Sequence, residues 1–225
     1  MARPAGLLRV GFPYIKTLGM RRVTNSSVDV VMGRDEILYV LGRGGDVRRM
    51  TWEDEDLGPI AGGGRDDGKF VWPVAMLMDR DENLWITDEA LHRITLITRE
   101  GEFLRKWGEY GDGDGQLNGP SGIAFDSDEN VYVSDTLNHR VQKFTNDGEL
   151  LMTWGRNGQG DGEFDMPWGI AVDELGDVYV SDWRNDRVQK FTAEGEFIFK
   201  IGGSGSGDGE LIRPAGVCVD KDGDI

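Results

Sequence analysis

The chain has 225 residues, of which 38% are hydrophobic, with one cysteine and a formal net charge of −16. That length can bury a full core in one large domain or two small ones without cross-links, and the lone Cys218 excludes an intrachain disulfide and any multi-cysteine metal cluster. The charge is uneven, 9 Lys/Arg against 4 Asp/Glu in the first 50 residues and 16 against 37 thereafter; a surface this acidic repels phosphate backbones and argues against nucleic acid as a partner.

The chain opens with MARPAGLLRVGFPYIKT, where Arg9 interrupts the apolar run before it reaches signal-peptide length. No stretch approaches the roughly 20 apolar residues of a membrane span, so a cytoplasmic location without a membrane span is the expectation. Within this segment YIKTLG, residues 14–19, has the pattern of an edge strand and matches RKWG at 105–108 and FKIG at 199–202.

From Ser27 onward the sequence repeats. Pro73, Pro120, Pro167 and Pro214 stand 47 residues apart, and GPSGIAFDSDENVYVSDTLNHRVQKF is echoed by MPWGIAVDELGDVYVSDWRNDRVQKF and, more loosely, by WPVAMLMDRDENLWITDEALHRITLI. A weaker copy, SVDVVMGRDEILYVLGRGGDVRRM, begins the series, and the linkers DDGKF, GDGQL, GDGEF and GDGEL end at residues 70, 117, 164 and 211. Inside each unit, short β-branched and aromatic runs such as GIAF, VYV, VQKF and ELLMTW are separated by Asp/Asn/Gly turns, and no helical period persists. Four short antiparallel strands per repeat is the sequence form of a β-propeller blade. The chain is therefore expected to be all-β, with blades at about 27–61, 73–108, 120–155 and 167–202, inner strands near 74–78, 121–125 and 168–172, and a partial blade at 213–225.

The elements P-x-G-I-A-x-D, V-Y-V-x-D, N-H-R-V-Q-K-F and G-x-G-D-G resemble NHL repeats, from about Ser27 to the end and most closely over 119–164. The resemblance implies a propeller, usually of six blades. On that expectation residues 12–19 supply a closing strand to a last blade, and the chain amounts to about two-thirds of the ring. For function it implies less, because propellers host unrelated activities. Some NHL propellers are peptide-amidating lyases with a zinc held by three histidines, and others resemble lactone-cleaving or antibiotic-opening enzymes; this chain has two histidines.

What recurs in every blade serves strand and turn geometry. Asp88, Asp135 and Asp182 recur, each followed five residues on by Arg93, Arg140 and Arg187, a pair suited to clamping the loop between second and third strands through a charge-assisted hydrogen bond. Asp126, Asp128 and Asn130 have the alternate spacing of calcium-loop ligands, but Val131 and Leu137 replace the turn glycine and the bidentate glutamate, so the segment reads as an Asx turn. The glycines of GQGDGEF lack the helix N-terminus and lysine of a phosphate cradle and read as suppliers of positive φ. Ser134 and Ser181 have no base assigned to them, so no nucleophilic set emerges.

What differs between blades is free to meet a ligand. At the entry to the first strand stand Val74, Ser121, Trp168 and Ala215, and after the second strand Glu89, Thr136 and Trp183. Antiparallel alternation brings both positions to one face, so one blade sets Trp168 and Trp183 beside Arg184, the composition of interface hot spots. His139, in the neighbouring loop, joins them as the candidate ligand-binding set. His92, His139 and Asp186 hold equivalent loop positions and are the candidates for a metal, zinc or calcium, although equivalent positions in adjacent blades lie far apart for ligands that must approach to about 2.0–2.2 Å. The expectation is a non-catalytic scaffold for a protein or small molecule, without a cofactor. The alternative is a metal-dependent lyase or lactonase. Trp85, Trp107 and Trp154 lie within strands and are expected in the core.

Overall fold

A computed structural model describes Thr24 and residues 26–225; the closing strand expected at 12–19 lies outside the described residues. Among the described residues the protein is nearly all-β, with four antiparallel four-stranded sheets, each formed from strands consecutive in sequence. The first blade comprises β1 (Ser27–Met32), β2 (Leu38–Gly42), β3 (Val47–Met50) and β4 (Asp56–Ala61). The second comprises β5 (Pro73–Met78), β6 (Leu84–Asp88), β7 (Arg93–Ile97) and β8 (Phe103–Trp107). The third comprises β9 (Pro120–Phe125), β10 (Val131–Asp135), β11 (Arg140–Phe144) and β12 (Leu150–Trp154), and the fourth β13 (Pro167–Val172), β14 (Val178–Asp182), β15 (Arg187–Phe191) and β16 (Phe197–Gly202). Strands β1, β5, β9 and β13 lie side by side in sequence order, so the sheets radiate from a common axis as propeller blades, at the inner-strand positions the repeat predicts.

Each blade packs its face on the next. Tyr39, Leu41, Leu84, Ile86 and Ile97 form the core between the first two blades, Trp85, Ile94, Val131 and Phe144 the next, and Tyr132, Val141, Val178 and Phe191 the third. The last residue of each of the first three linkers, Phe70, Leu117 and Phe164, is driven fully into these seams, each pinned by an isolated bridge to Gly63, Tyr110 or Asn157. Trp85 is buried, and Trp107 and Trp154 are partly buried against the same clusters. The axis is tight: a methyl group at Gly122 would overlap the Trp168 carbonyl oxygen and come within 2.9 Å of Ile170 N.

The turns between first and second strands are closed by their own aspartates. Asp126 Oδ1 accepts the N–H groups of Asp128 (3.0 Å) and Asn130 (2.9 Å), while Lys143 Nζ stands 3.0 Å from Oδ2. With its oxygens so occupied, the DSDEN segment is an Asx turn braced by an ion pair. The DKDGD segment repeats the backbone part of this, with Asp220 Oδ1 accepting from Asp222 and Asp224. Residues 214–220 have no strand assignment.

Candidate functional site

In the second, third and fourth blades the loop after the second strand begins at a buried aspartate, Asp88, Asp135 or Asp182. Asp135 Oδ2 accepts from Arg140 Nε (2.7 Å), Asn138 Nδ2 (2.8 Å) and Gln142 Nε2 (3.1 Å), and Oδ1 from Asn118 N–H (2.6 Å). The rest of the Arg140 guanidinium donates to the carbonyls of Asp112 (3.0 Å), Gly113 (2.7 Å) and Gln116 (2.8 Å). The fourth blade repeats this bond for bond: Asp182 takes Arg187 Nε at 2.8 Å, Asn185, Gln189 and Asp165 N–H, while Arg187 reaches the carbonyls of Gln159, Gly160 and Glu163. Burial nevertheless raises the Asp182 carboxyl above its ordinary value, outweighing the Asn185 and Arg187 bonds that oppose it. The aspartate and arginine thus hold not only their own loop but the glycine-rich linker that enters the blade.

The second blade departs from this. Asp88 accepts four backbone N–H groups, from Val71, Trp72, Ala90 and Leu91, and Arg93 Nε is buried without a partner. Leu91 and Thr95 stand where the third and fourth blades have the asparagine and glutamine that complete the network. Arg93 still reaches the linker carbonyls of Asp66 (3.2 Å) and Lys69 (3.1 Å).

His139 ends a single 3-10 turn, Thr136–Asn138, with φ +55°. His92 and Asp186 hold the same left-handed conformation at φ +51° and +53°, a conformation short polar side chains tolerate better than most. Each side chain then accepts an N–H from the next linker: His92 Nδ1 from Gly119 (3.1 Å), His139 Nδ1 from Met166 (3.2 Å) and Asp186 Oδ1 from Arg213 (2.7 Å). Those donors are again 47 residues apart. The recurring bond explains the histidine within the NHRVQKF stretch as a joint between blades. Among the described residues no three His, Cys, Asp or Glu side chains come together in a way that could hold a metal ion.

The tryptophans do come together. Pro167 pairs with Asp182 across β13 and β14, which brings the following residues, Trp168 and Trp183, to the same end of the blade. Their ring centroids lie 6.2 Å apart at an interplanar angle of 39°, both half-buried. The third blade fixes this platform from beneath: Thr136 Oγ1 donates to Pro167 O (2.7 Å) and Ser121 Oγ to Trp168 O (2.9 Å). The hydroxyls occupy the positions that the tryptophans hold one blade on. Two guanidinium groups flank Trp183, Arg184 at 5.7 Å and Arg213 at 5.0 Å from the ring centre. His139 joins the set only through the backbone, since Met166 N–H reaches its ring while Met166 O accepts from Trp183 N–H (3.3 Å).

Three residues of this face escaped the sequence reading. Arg213 reaches Trp183 from the next repeat, and on the far side of the face Arg43 lies 4.7 Å over Trp72, with Glu89 3.6 Å from Arg43. Trp72 and Arg213 occupy one repeat position, the residue before the proline, which reads Trp, Gly, Met and Arg in successive units. The test of variation between blades that singled out Trp168 and Trp183 would have found them there.

Comparison with known proteins agrees with this architecture. Residues 117–144 and 164–191 match the NHL repeat, the family that the sequence motifs resemble. Among curated protein sequences none matches this chain. Among solved structures, a virginiamycin B lyase from Staphylococcus aureus superposes with a TM-score of 0.64 at 14% identity, over 88% of this chain and 61% of the lyase. A gluconolactonase from Xanthomonas campestris gives a TM-score of 0.61 at 19% identity, over 86% of this chain and 65% of the other. U3-55K gives 0.64 at 16% identity, over 81% and 54%. The chain spans about three-fifths of the length of the first structures it matches, and at these identities the likeness is one of fold.

Proposed function

We propose that this NHL-repeat propeller is a non-catalytic binding scaffold that takes a protein or small-molecule partner on the face carrying Trp168, Trp183 and Arg184, with His139 as a support of that face. The observation that carries this reading is the pair of half-buried tryptophans held by the third blade's hydroxyls, with arginines flanking one ring. Large aromatic rings beside arginine, fixed before a partner arrives, lose little freedom on binding and present the chemistry of interface hot spots.

The test compares proteins captured from a lysate by the purified chain and by its Trp183→Ala variant, with the thermal midpoint measured for both. A partner retained by the first and lost by the second, at an unchanged midpoint, supports the reading. An unfolded variant, or an unchanged set of partners, refutes it and makes Trp183 a packing residue.

A second reading, a metal-dependent lyase or lactonase, draws support from the fold likeness to a virginiamycin B lyase and a gluconolactonase. Metal analysis of the purified protein with and without chelator separates the two. Stoichiometric zinc or calcium that disappears on replacing His92 or His139 with alanine favours the enzyme.

A further inference from the structure

We infer that the Trp168–Trp183 platform is built for a flat apolar group bearing a carboxylate, an inference that rests on the binding reading above and adds the sign of the ligand's charge. The whole-chain charge of −16 predicts the opposite, a preference for cations or neutral molecules. The local arrangement reverses it. Elsewhere in this acidic protein eight described arginines find carboxylates, among them Arg43 with Glu89, Arg48 with Asp56, Arg80 with Glu129, Arg140 with Asp135, Arg156 with Glu163 and Arg187 with Asp182, and Arg93, which does not, spends its guanidinium on linker carbonyls instead. Neither Arg184 nor Arg213 has a carboxylate within ion-pair distance among the described residues; what each has is the Trp183 ring. Asp186, whose charge interacts with that of Arg213, is already committed, since Ser204 and the Arg213 N–H both donate to it and hold its carboxyl below the ordinary range.

A guanidinium held over an indole keeps its N–H edge free. Five donors in a planar fork match the two oxygens of a carboxylate, and stacking on the ring has already restricted the side chain, so less freedom is lost when the anion arrives. Two such groups converge on one ring, beside a second half-buried tryptophan that offers apolar surface. Both groups held over the Trp183 ring are positive, which disfavours a cation against that ring.

The experiment uses three ligands that share a phenyl ring: N-acetylphenylalanine, which carries the carboxylate, its uncharged carboxamide, and phenethylamine, which carries the opposite charge. Binding is followed by the protein's tryptophan emission and confirmed by calorimetry. The carboxylate is expected to bind at least about tenfold more tightly than the amide and the amine not to bind, as one charge-assisted bidentate contact requires; the preference should shrink with added salt. The Arg184→Gln, Arg213→Gln double variant should abolish the discrimination, and Trp183→Ala should weaken all binding. Equal affinity for carboxylate and amide, still dependent on Trp183, would overturn the charge assignment and leave the binding face standing. Absence of binding to any of the three would overturn the inference altogether, while the capture experiment decides the face independently.

Discussion

Replacing Arg140 with methionine removes four hydrogen bonds of a buried guanidinium, to Asp135 Oδ2 at 2.7 Å and to the carbonyls of Asp112, Gly113 and Gln116 at 2.7–3.0 Å. Asp135 is fully buried, and stripping one partner from a buried ion pair costs about 3–5 kcal/mol. Three other donors, Asn118 N–H, Asn138 and Gln142, stay on the carboxylate, which places the cost at the lower end, about 3 kcal/mol. Arg93→Met is the internal control. Its Nε has no partner to lose, and its carbonyl bonds are longer, 3.1–3.5 Å, so about 1–2 kcal/mol is expected. Urea unfolding gives the two differences, and amide hydrogen exchange over residues 111–118 should show the linker opening first in Arg140→Met. A cycle adding Asp135→Asn should report coupling of about 1–3 kcal/mol. If Arg140→Met costs no more than Arg93→Met, or the cycle shows no coupling, the clamp contributes nothing and the reasoning fails.

Gly122→Ala should destabilise by about 3 kcal/mol, because the new methyl meets the backbone of the next inner strand. Gly162→Ala, with open space around it and φ +80°, should cost only the left-handed strain of about 1–2 kcal/mol; urea midpoints that reverse this order would contradict the packing at the axis. Lys143→Met tests pH dependence. Asp126 loses hydration on burial but is held below its ordinary 3.8 by the Asn130 amide and the Lys143 ammonium; a lowered carboxyl contributes stability above the unfolded value and loses it as pH falls through the folded one. The cost of Lys143→Met should therefore stay level from about pH 5 to 8 and shrink below about 4; a cost that grows on acidification would show that the pair does not stabilise the turn. Trp183→Ala should weaken partner binding by about 2 kcal/mol or more with little change in stability, read by titration against whichever partner the capture experiment yields.

Most of the fold was legible because the repeat restates it. A strand pattern that recurs every 47 residues with the same proline, aspartate and arginine leaves little freedom in where strands begin, and β5, β9 and β13 lie where the spacing puts them. The pairing of Trp168 with Trp183 was legible for the same reason, since register follows from Pro167 facing Asp182. Arg213 was not, because its approach to Trp183 depends on how the next unit packs, which no pattern within one blade encodes. Arg43 was hidden by the first unit's divergence and its shorter loop, whereas Trp72 stood open to comparison between blades at the position before the proline. The failure of Arg93 to engage Asp88 was hidden too: an aspartate and an arginine at the right spacing do not say whether backbone N–H groups have reached the carboxylate first. His139 shows the converse. Its role is a φ of +55° and one accepted N–H, and neither property distinguishes it in sequence from a metal ligand.

The bond by which each blade's left-handed residue receives an N–H from the following linker has a consequence for how such a chain tolerates change in length. Gly119, Met166 and Arg213 are gripped from behind by His92, His139 and Asp186, while Asp135 and Asp182, just ahead, grip the residue before, Asn118 or Asp165. A linker caught at consecutive residues by two successive blades, with Arg140 or Arg187 holding carbonyls upstream, takes up a stray insertion less readily than an ordinary surface loop; a residue added between the two gripped ones must break one grip or the other. Duplication of a whole 47-residue unit breaks neither, because the copy brings its own histidine or aspartate behind and its own clamp ahead. Length in this protein is thus quantised: it can grow by blades far more readily than by residues.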